Sequence, residues 1–283
     1  ANVNVVNPVQ NGRRVCTESH TLQLNLLDYS PEELFEVICE RTGISLSDVI
    51  VIWASPPCQT FSPADSSNIT RNNNFRDHDD PTKPPTSTNE GKARIAREHD
   101  ALVKHIFDIF DYSRDINIQA GRVLENPRGY LENRDYMQPE MMHEGYVKEL
   151  IDQCAFGREF QKPTHLWHDL KSWSPKGVTG SGRCESRCGK VVMDRGYYKH
   201  FKGLAMEPYR KPRGKGQGKE KNLLPALLLE EVLLASSPST KKLQGKVVID
   251  LCSGFQSWKP VAQKFGCKYI AIDILGDRNK TLS

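Results

Sequence analysis

The stretch Val49-Ile50-Val51-Ile52-Trp53-Ala54-Ser55-Pro56-Pro57-Cys58-Gln59 carries the decisive reading of the chain. Val49 to Trp53 is a continuous apolar run, the pattern of a strand buried on both faces of a parallel sheet. It runs straight into two prolines, which stiffen the turn and set the direction of the side chain that follows. That side chain is Cys58. Other segments have the same form. Ile116 to Ile118 and Arg122-Val123-Leu124-Glu125 read as a strand entering Asn126-Pro127-Arg128-Gly129. Lys246 to Asp250 reads as a strand entering a Gly/Ser turn, and Tyr269 to Asp273 as another strand.

Helices are expected between these strands. Ser30-Pro31-Glu32-Glu33 is a capping box with proline at the first helical position; its helix runs through Phe35, Val37 and Ile38 and stops near Gly43. Leu102, Ile106, Ile109 and Phe110 recur at helical spacing between about Ala96 and Tyr112. Tyr146–Cys154, Leu223–Ala235 and Lys259–Phe265 also read as helices. Thr60 to Lys92 is polar and rich in Asn, Asp, Pro and Thr, as in a long mobile loop. Lys211 to Lys219 reads as a flexible run and Ser236 to Gln244 as a polar linker. Strand–turn–helix–strand units with apolar strands predict an α/β fold: a Rossmann-like, doubly wound, mostly parallel sheet with helices on both faces. In such a sheet ligands collect at the carboxyl ends of the strands. The turns after Ala54, Glu125 and Asp250 are therefore expected on one rim.

Composition narrows the class. The chain has 283 residues, 37% hydrophobic and 26% charged, with a mean hydropathy of −0.57. No apolar run approaches the roughly 18–20 residues of a membrane span, and Ala1–Arg14 has no apolar core of a secretory signal. Membrane, collagen-like and small disulfide-scaffold classes are excluded. The 8 cysteines are scattered, which suits a reducing, intracellular setting: cytoplasmic in a prokaryote or virus, nuclear in a eukaryote. Net charge is only +4, but between Phe156 and Asn222 there are 16 Lys and Arg against 6 Asp and Glu. Positive charge gathered in one lobe is the footprint of a nucleic-acid partner.

The turns suggest a chemistry. A cysteine at a strand's carboxyl end suits a nucleophile, and Glu125 on the same rim can deliver a proton to a ring nitrogen. Val248-Ile249-Asp250-Leu251-Cys252-Ser253-Gly254, followed 19 residues after Gly254 by Asp273, has the form of a nucleotide-cofactor site. Glycine lets backbone approach a ligand, and the later acid can take ribose hydroxyls. Carbon methylation of a pyrimidine needs this combination. C5 of cytosine becomes nucleophilic only when a thiolate adds to C6 and the ring is protonated at N3.

On Pro56-Pro57-Cys58-Gln59, Glu125-Asn126-Pro127 and Asp250 to Gly254 together, the chain resembles the cytosine-C5 methyltransferases that use S-adenosylmethionine, across nearly its whole length. The resemblance implies a class I methyltransferase fold. It makes Cys58, within Pro57-Cys58-Gln59, the nucleophile, and Glu125-Asn126 the base-binding pair. Asp250, Leu251, Cys252, Ser253, Gly254, Phe255 and Trp258 become the methionine-side cofactor segment, and Asp273-Ile274 the ribose end. Asp28 falls where the family places an acid against the adenine amine. Leu223–Ala235 matches the helix beside the cofactor pocket. In most members the cofactor turn precedes the cysteine; here it follows, so the order looks circularly permuted, with Ser236–Gln244 as the joining linker. The alternative is a C-terminal piece that opens a second domain. Residues 1–155 and 223–283 are then parts of one catalytic domain around a target-recognition lobe at 156–222.

The chain departs from the family at Gln161-Lys162-Pro163-Thr164-His165, where the family has a glutamine followed by two alternating arginines. His165 or Arg158 can stand in for the arginine that assists at the target base. The expected partner is double-stranded DNA, with no membrane and no obligate protein partner. The same chemistry on tRNA is the first rival, and a catalytically weak nucleic-acid-binding protein the second. The size suits a stand-alone modification enzyme, with or without a restriction partner. Cys184 and Cys188 read as a turn of the basic lobe, with no metal expected. The alternative is half of a zinc site, completed by His165, His168 or His200.

Overall fold

The computed structural model describes residues 9–10, 13–14, 18–62, 75–76, 90–116, 118–138, 145–194, 197–200, 223–237, 243–254 and 256–273. Two short strands, β1 (Val9–Gln10) and β2 (Arg13–Arg14), pair with each other. The main sheet holds β3 (Ser19–Gln23), β4 (Val49–Ala54), β5 (Gly121–Pro127), β6 (Val147–Asp152), β7 (Pro163–His168), β10 (Val247–Leu251) and β11 (Lys268–Asp273). Its order is β3-β11-β10-β4-β5-β7-β6. The first five strands are mutually parallel, and β7 runs antiparallel to both neighbours. A separate hairpin pairs β8 (Val191–Asp194) with β9 (Tyr197–His200).

Helices cover both faces, as the apolar strands require. Along β4, Ile52 and Ala54 face one core and Val51 and Trp53 the other; along β11, Ile270 and Ile272 alternate with Tyr269 and Ala271. The first core is closed by α1 (Pro31–Thr42), through Leu34, Phe35 and Ile38, and by α2 (Glu90–Asp115), through Leu102, Ile106, Ile109 and Phe110. The second is closed by α3 (Ala226–Ser236) and α4 (Trp258–Phe265). The capping box forms as read: Glu33 N–H donates to Ser30 Oγ while Ser30 N–H donates to Glu33 Oε2.

Three expectations change. Tyr146–Cys154 is not a helix: residues 147–152 form the edge strand β6, because pairing with β7 over six residues outweighs local preference. Residues 163–168, assigned with the basic lobe, are an inner strand of the sheet, since β5 needs a partner on that side. Residues 90–92, assigned to the long loop, begin α2. β10 and β11 are inner strands of the same sheet as β4 and β5. The linker at 238–242, the run 211–219 and most of 63–89 lie outside the described residues.

Candidate active site

The carboxyl ends of β4, β5, β10 and β11 meet around one pocket of about 660 Å³, within the range that holds a drug-sized ligand. Its lining includes Pro57, Cys58 and Gln59 after β4, Glu125 on β5, Asp250 to Gly254 around the end of β10 (Leu251 excepted), and Asp273 ending β11. Lys162 and His99 complete the polar wall. The three turns expected on one rim are thus brought together.

The Cys58 turn is held from several sides. Phe61 N–H donates to Cys58 O at 3.0 Å, and Tyr130 N–H to Phe61 O at 2.7 Å. Arg76 Nε donates to Thr60 O at 2.7 Å while its guanidinium pairs with both oxygens of Asp100. The same guanidinium stacks over Phe61. Thr60 Oγ1 lies 3.0 Å from His99 Nδ1; burial, and then the Arg76 charge, bring the His99 pKa down to about 4. Asn126 Nδ2 donates to Pro56 O at 3.1 Å, tying the ends of β4 and β5 together. Asn126 therefore positions the rim and does not line the pocket.

Glu125 is buried, and its Oε1 has no hydrogen-bond partner within the protein. Burial raises its pKa, against the opposing charge of Lys162 and a hydrogen bond from Ser55. Ser55 Oγ in turn accepts from Trp53 Nε1 at 2.8 Å. Burial also raises the Cys58 thiol; Lys162 pulls it down and Glu125 pushes it up. A single lysine thus biases both groups toward their charged forms.

Across the pocket, burial lifts the Asp250 pKa to about 8, while a hydrogen bond from Tyr269 Oη at 2.8 Å opposes it. Beyond it the backbone turns sharply. Cys252 (φ 60°), Gly254 (φ 45°) and Gln256 (φ 53°) all adopt left-handed conformations, which cost a non-glycine residue roughly 1–3 kcal/mol each. Ser253 N–H donates to Ile272 O at 3.0 Å and Ser55 N–H to Leu251 O at 3.2 Å, fastening this turn to its neighbours.

Several expected residues lie elsewhere. Leu251 is buried in the core, as is Trp258, which packs edge-on against Trp53 at 5.5 Å. Asp28 is exposed on the short helix Leu26–Asp28 and accepts from Asn25. His165 is buried on β7 opposite Asn126, with Nε2 3.5 Å from Glu132 Oε2. Burial lowers its pKa despite Glu132, and it does not line the pocket. Arg158 donates to Leu223 O and lies outside the pocket lining as well. Phe255 and Ile274 are outside the described residues. Lys162 is the functional candidate that the motif reading passes over. Its signal is a cation directly after Gln161, one position before the first expected arginine.

The Cys184–Cys188 turn also differs from expectation. Cys154 and His200 join it, and four ligand atoms lie within 4.8 Å of one another. His165 and His168 take no part; His168 Nδ1 accepts from Leu170 N–H.

The sheet decides the fold type. The chain has a Rossmann-like α/β fold, a doubly wound and mostly parallel sheet. In sequence it is similar to a curated protein named probable DNA (cytosine-5)-methyltransferase from Frog virus 3 (isolate Goorha), 24% identical over 135 residues. That match covers 47% of this chain and 52% of the relative, so the chain spans about half the length of the curated protein it matches. Two solved structures are also similar: M1.HpyAVI, at 12% identity and a TM-score of 0.36, and its SAM complex, at 10% and 0.35. Each alignment covers 90% of this chain, and respectively 92% and 93% of the solved chain. No protein-family model matches the chain. Among the described residues no helix is long and apolar enough to cross a membrane.

Proposed function

We propose that the chain transfers a methyl group from S-adenosylmethionine to C5 of cytosine in DNA. One observation carries this reading: Cys58, Glu125, the turn after Asp250 and Asp273 line a single pocket. The turn from Cys252 to Gly254 and the acid Asp273 fit the cofactor. Gly254, with φ 45°, leaves the backbone open to it, and Asp273, lining the same pocket, supports a role in taking the ribose hydroxyls. When bound, the cofactor supplies an electrophilic methyl group. The similarity to a probable DNA (cytosine-5)-methyltransferase supports the choice of base and of DNA.

The residues divide the work as follows. The target cytosine leaves the base stack and enters the pocket. Cys58 Sγ, as thiolate, adds to C6. Glu125, whose buried carboxyl holds its proton more tightly than usual, gives that proton to N3, so the negative charge from C6 addition does not build up on the ring. C5 then carries the electron pair that takes the methyl group. A base then takes the C5 proton, the C5–H electron pair forms the C5–C6 double bond and expels Cys58 as thiolate, and the N3 proton returns to Glu125, which restores the aromatic ring. Lys162 stabilises the thiolate of Cys58, a task that fits the cation missing at Pro163 and His165.

The strand order supports a circular permutation. Numbered from β10 and continued through the N-terminal strands, the sheet reads 3-2-1-4-5-7-6, whose first five positions are those of a dinucleotide-binding sheet.

The test is transfer of labelled methyl from S-adenosylmethionine to duplex DNA and, in parallel, to tRNA. Label on DNA that disappears in Cys58→Ser is the expected result. A duplex carrying 5-fluorocytosine, whose C5 substituent cannot leave as a proton, should trap the protein covalently. Label on tRNA alone, or no label with cofactor binding intact, overturns the proposal.

A further inference from the structure

The cluster at the outer edge of the sheet has not been used by this chemistry. Cys154 lies on the short helix Gln153–Phe156 that follows β6. Cys184 and Cys188 flank a tight turn, and His200 ends β9. Cys184 Sγ is 3.5 Å from Cys188 Sγ and 3.3 Å from His200 Nε2; Cys188 Sγ is 3.4 Å from that nitrogen. Ligands at about 2.3 Å (sulfur) and 2.1 Å (nitrogen) around a tetrahedral zinc stand roughly 3.6–3.8 Å apart. These three edges are a few tenths of an ångström shorter, a gap closed by a small outward movement, and Cys154 Sγ lies within 4.8 Å of all three atoms. All three cysteines are buried and none forms a disulfide.

We infer that Cys154, Cys184, Cys188 and His200 form a structural zinc site. Three thiolates and one imidazole are the donors that select zinc over harder cations. Four protein ligands leave no open position, as in structural sites and unlike catalytic ones.

The surrounding backbone is shaped for the task. Glu185 and Ser186, between the two cysteines, have positive φ values of 44° and 59°, and Gly189 follows at 71°. Asp152, at the end of β6, accepts from Cys184 N–H and Arg183 Nε, both at 2.9 Å, and from Gln161 Nε2 at 3.1 Å. These bonds orient the loop that presents Cys184.

The location gives the zinc a role. β6 runs parallel to β5, so its carboxyl end lies on the same rim as the pocket. Gln153 N–H, beside Cys154, donates to Lys162 O at 3.2 Å, and Lys162 lines the pocket. Zinc therefore fastens the β8–β9 hairpin of the basic lobe to the end of β6, next to the residue that bonds Lys162. It holds that lobe in position beside the pocket.

The test is metal content, read without any methyl-transfer assay. Full-length protein purified from zinc-containing medium should hold one zinc per chain by plasma mass spectrometry. Cys184→Ser with Cys188→Ser should lose it, whereas His200→Cys should keep it as a four-thiolate site. Because the double variant can fail to fold, wild-type protein stripped by chelator and titrated with cobalt(II) provides the second reading. Intense visible bands of tetrahedral thiolate-bound cobalt are expected. Wild-type protein that takes up neither zinc nor cobalt overturns the inference. So does a Cys184–Cys188 disulfide found by mass mapping of protein purified under reducing conditions.

Discussion

Cys58 and Cys184 carry the same thiol in opposite surroundings. Cys58 is half-buried at a strand end, with a pocket on one side and one cation, Lys162, acting on it. Cys184 is enclosed by two other cysteines and a histidine within hydrogen-bonding distance. A nucleophile needs an empty side where a substrate atom can arrive. A structural ligand needs that side filled. Enclosure, more than acidity, separates the two proposed roles.

The largest effect that can break this contrast is Cys58→Ser. Methyl transfer should fall by roughly four orders of magnitude or more, while zinc content stays at the wild-type value. Loss of metal in that variant would collapse the separation between the two sites. Glu125→Gln keeps the shape of the acid but cannot give up a proton in the same way. It should lower kcat by roughly 10²–10⁴-fold with cofactor affinity retained, as measured by steady-state kinetics and calorimetric titration.

Lys162→Met sharpens the contrast from the cation's side. Lys162 lowers the Cys58 pKa, so removing it raises that value. The thiolate fraction then appears at higher pH, and the ascending limb of the kcat/KM profile should move up. A shift of about one unit corresponds to a loss of about tenfold below the limb. An unmoved profile would reassign Lys162 to a structural role.

The smallest effect concerns stability. Folded Asp250 keeps its proton up to about pH 8, whereas its ordinary value is 3.8. Folding therefore favours the protonated acid between those values. The contribution is full below the lower one and is lost as pH rises toward the upper one. Asp250→Asn should flatten this slope, and its Tm should exceed that of wild type by a few degrees near pH 8. Thermal melts across that pH range provide the check.

The parallel strands are legible in the sequence because burial on both faces demands apolar residues at nearly every position, as in Val49–Trp53. The capping box at Ser30 and Glu33 is legible because its chemistry is local. β6 is not, since Val147-Lys148-Glu149-Leu150-Ile151-Asp152 mixes polar and apolar residues in a pattern that suits either element. Only pairing with β7 settles it. The pocket motifs are legible as residue types, but their tight supports are not: Arg76 on Thr60 and Asn126 on Pro56 join residues far apart in sequence. Cys154 stands 30 positions before Cys184, a spacing that signals nothing until β6 brings its end beside the hairpin.

The pairing of β11 with β3 also has a consequence for how the protein is made. Residues 269–273 lie beside residues 19–23 in the sheet. At typical synthesis rates, the ribosome needs on the order of ten to fifty seconds to travel between them. For most of that interval β3 has no neighbour in the main sheet, and the inner positions of β10 and β11 are vacant. The pocket therefore comes into existence in one late step. A truncation that removes β10 and β11 should leave an aggregation-prone half-sheet in place of a complete one.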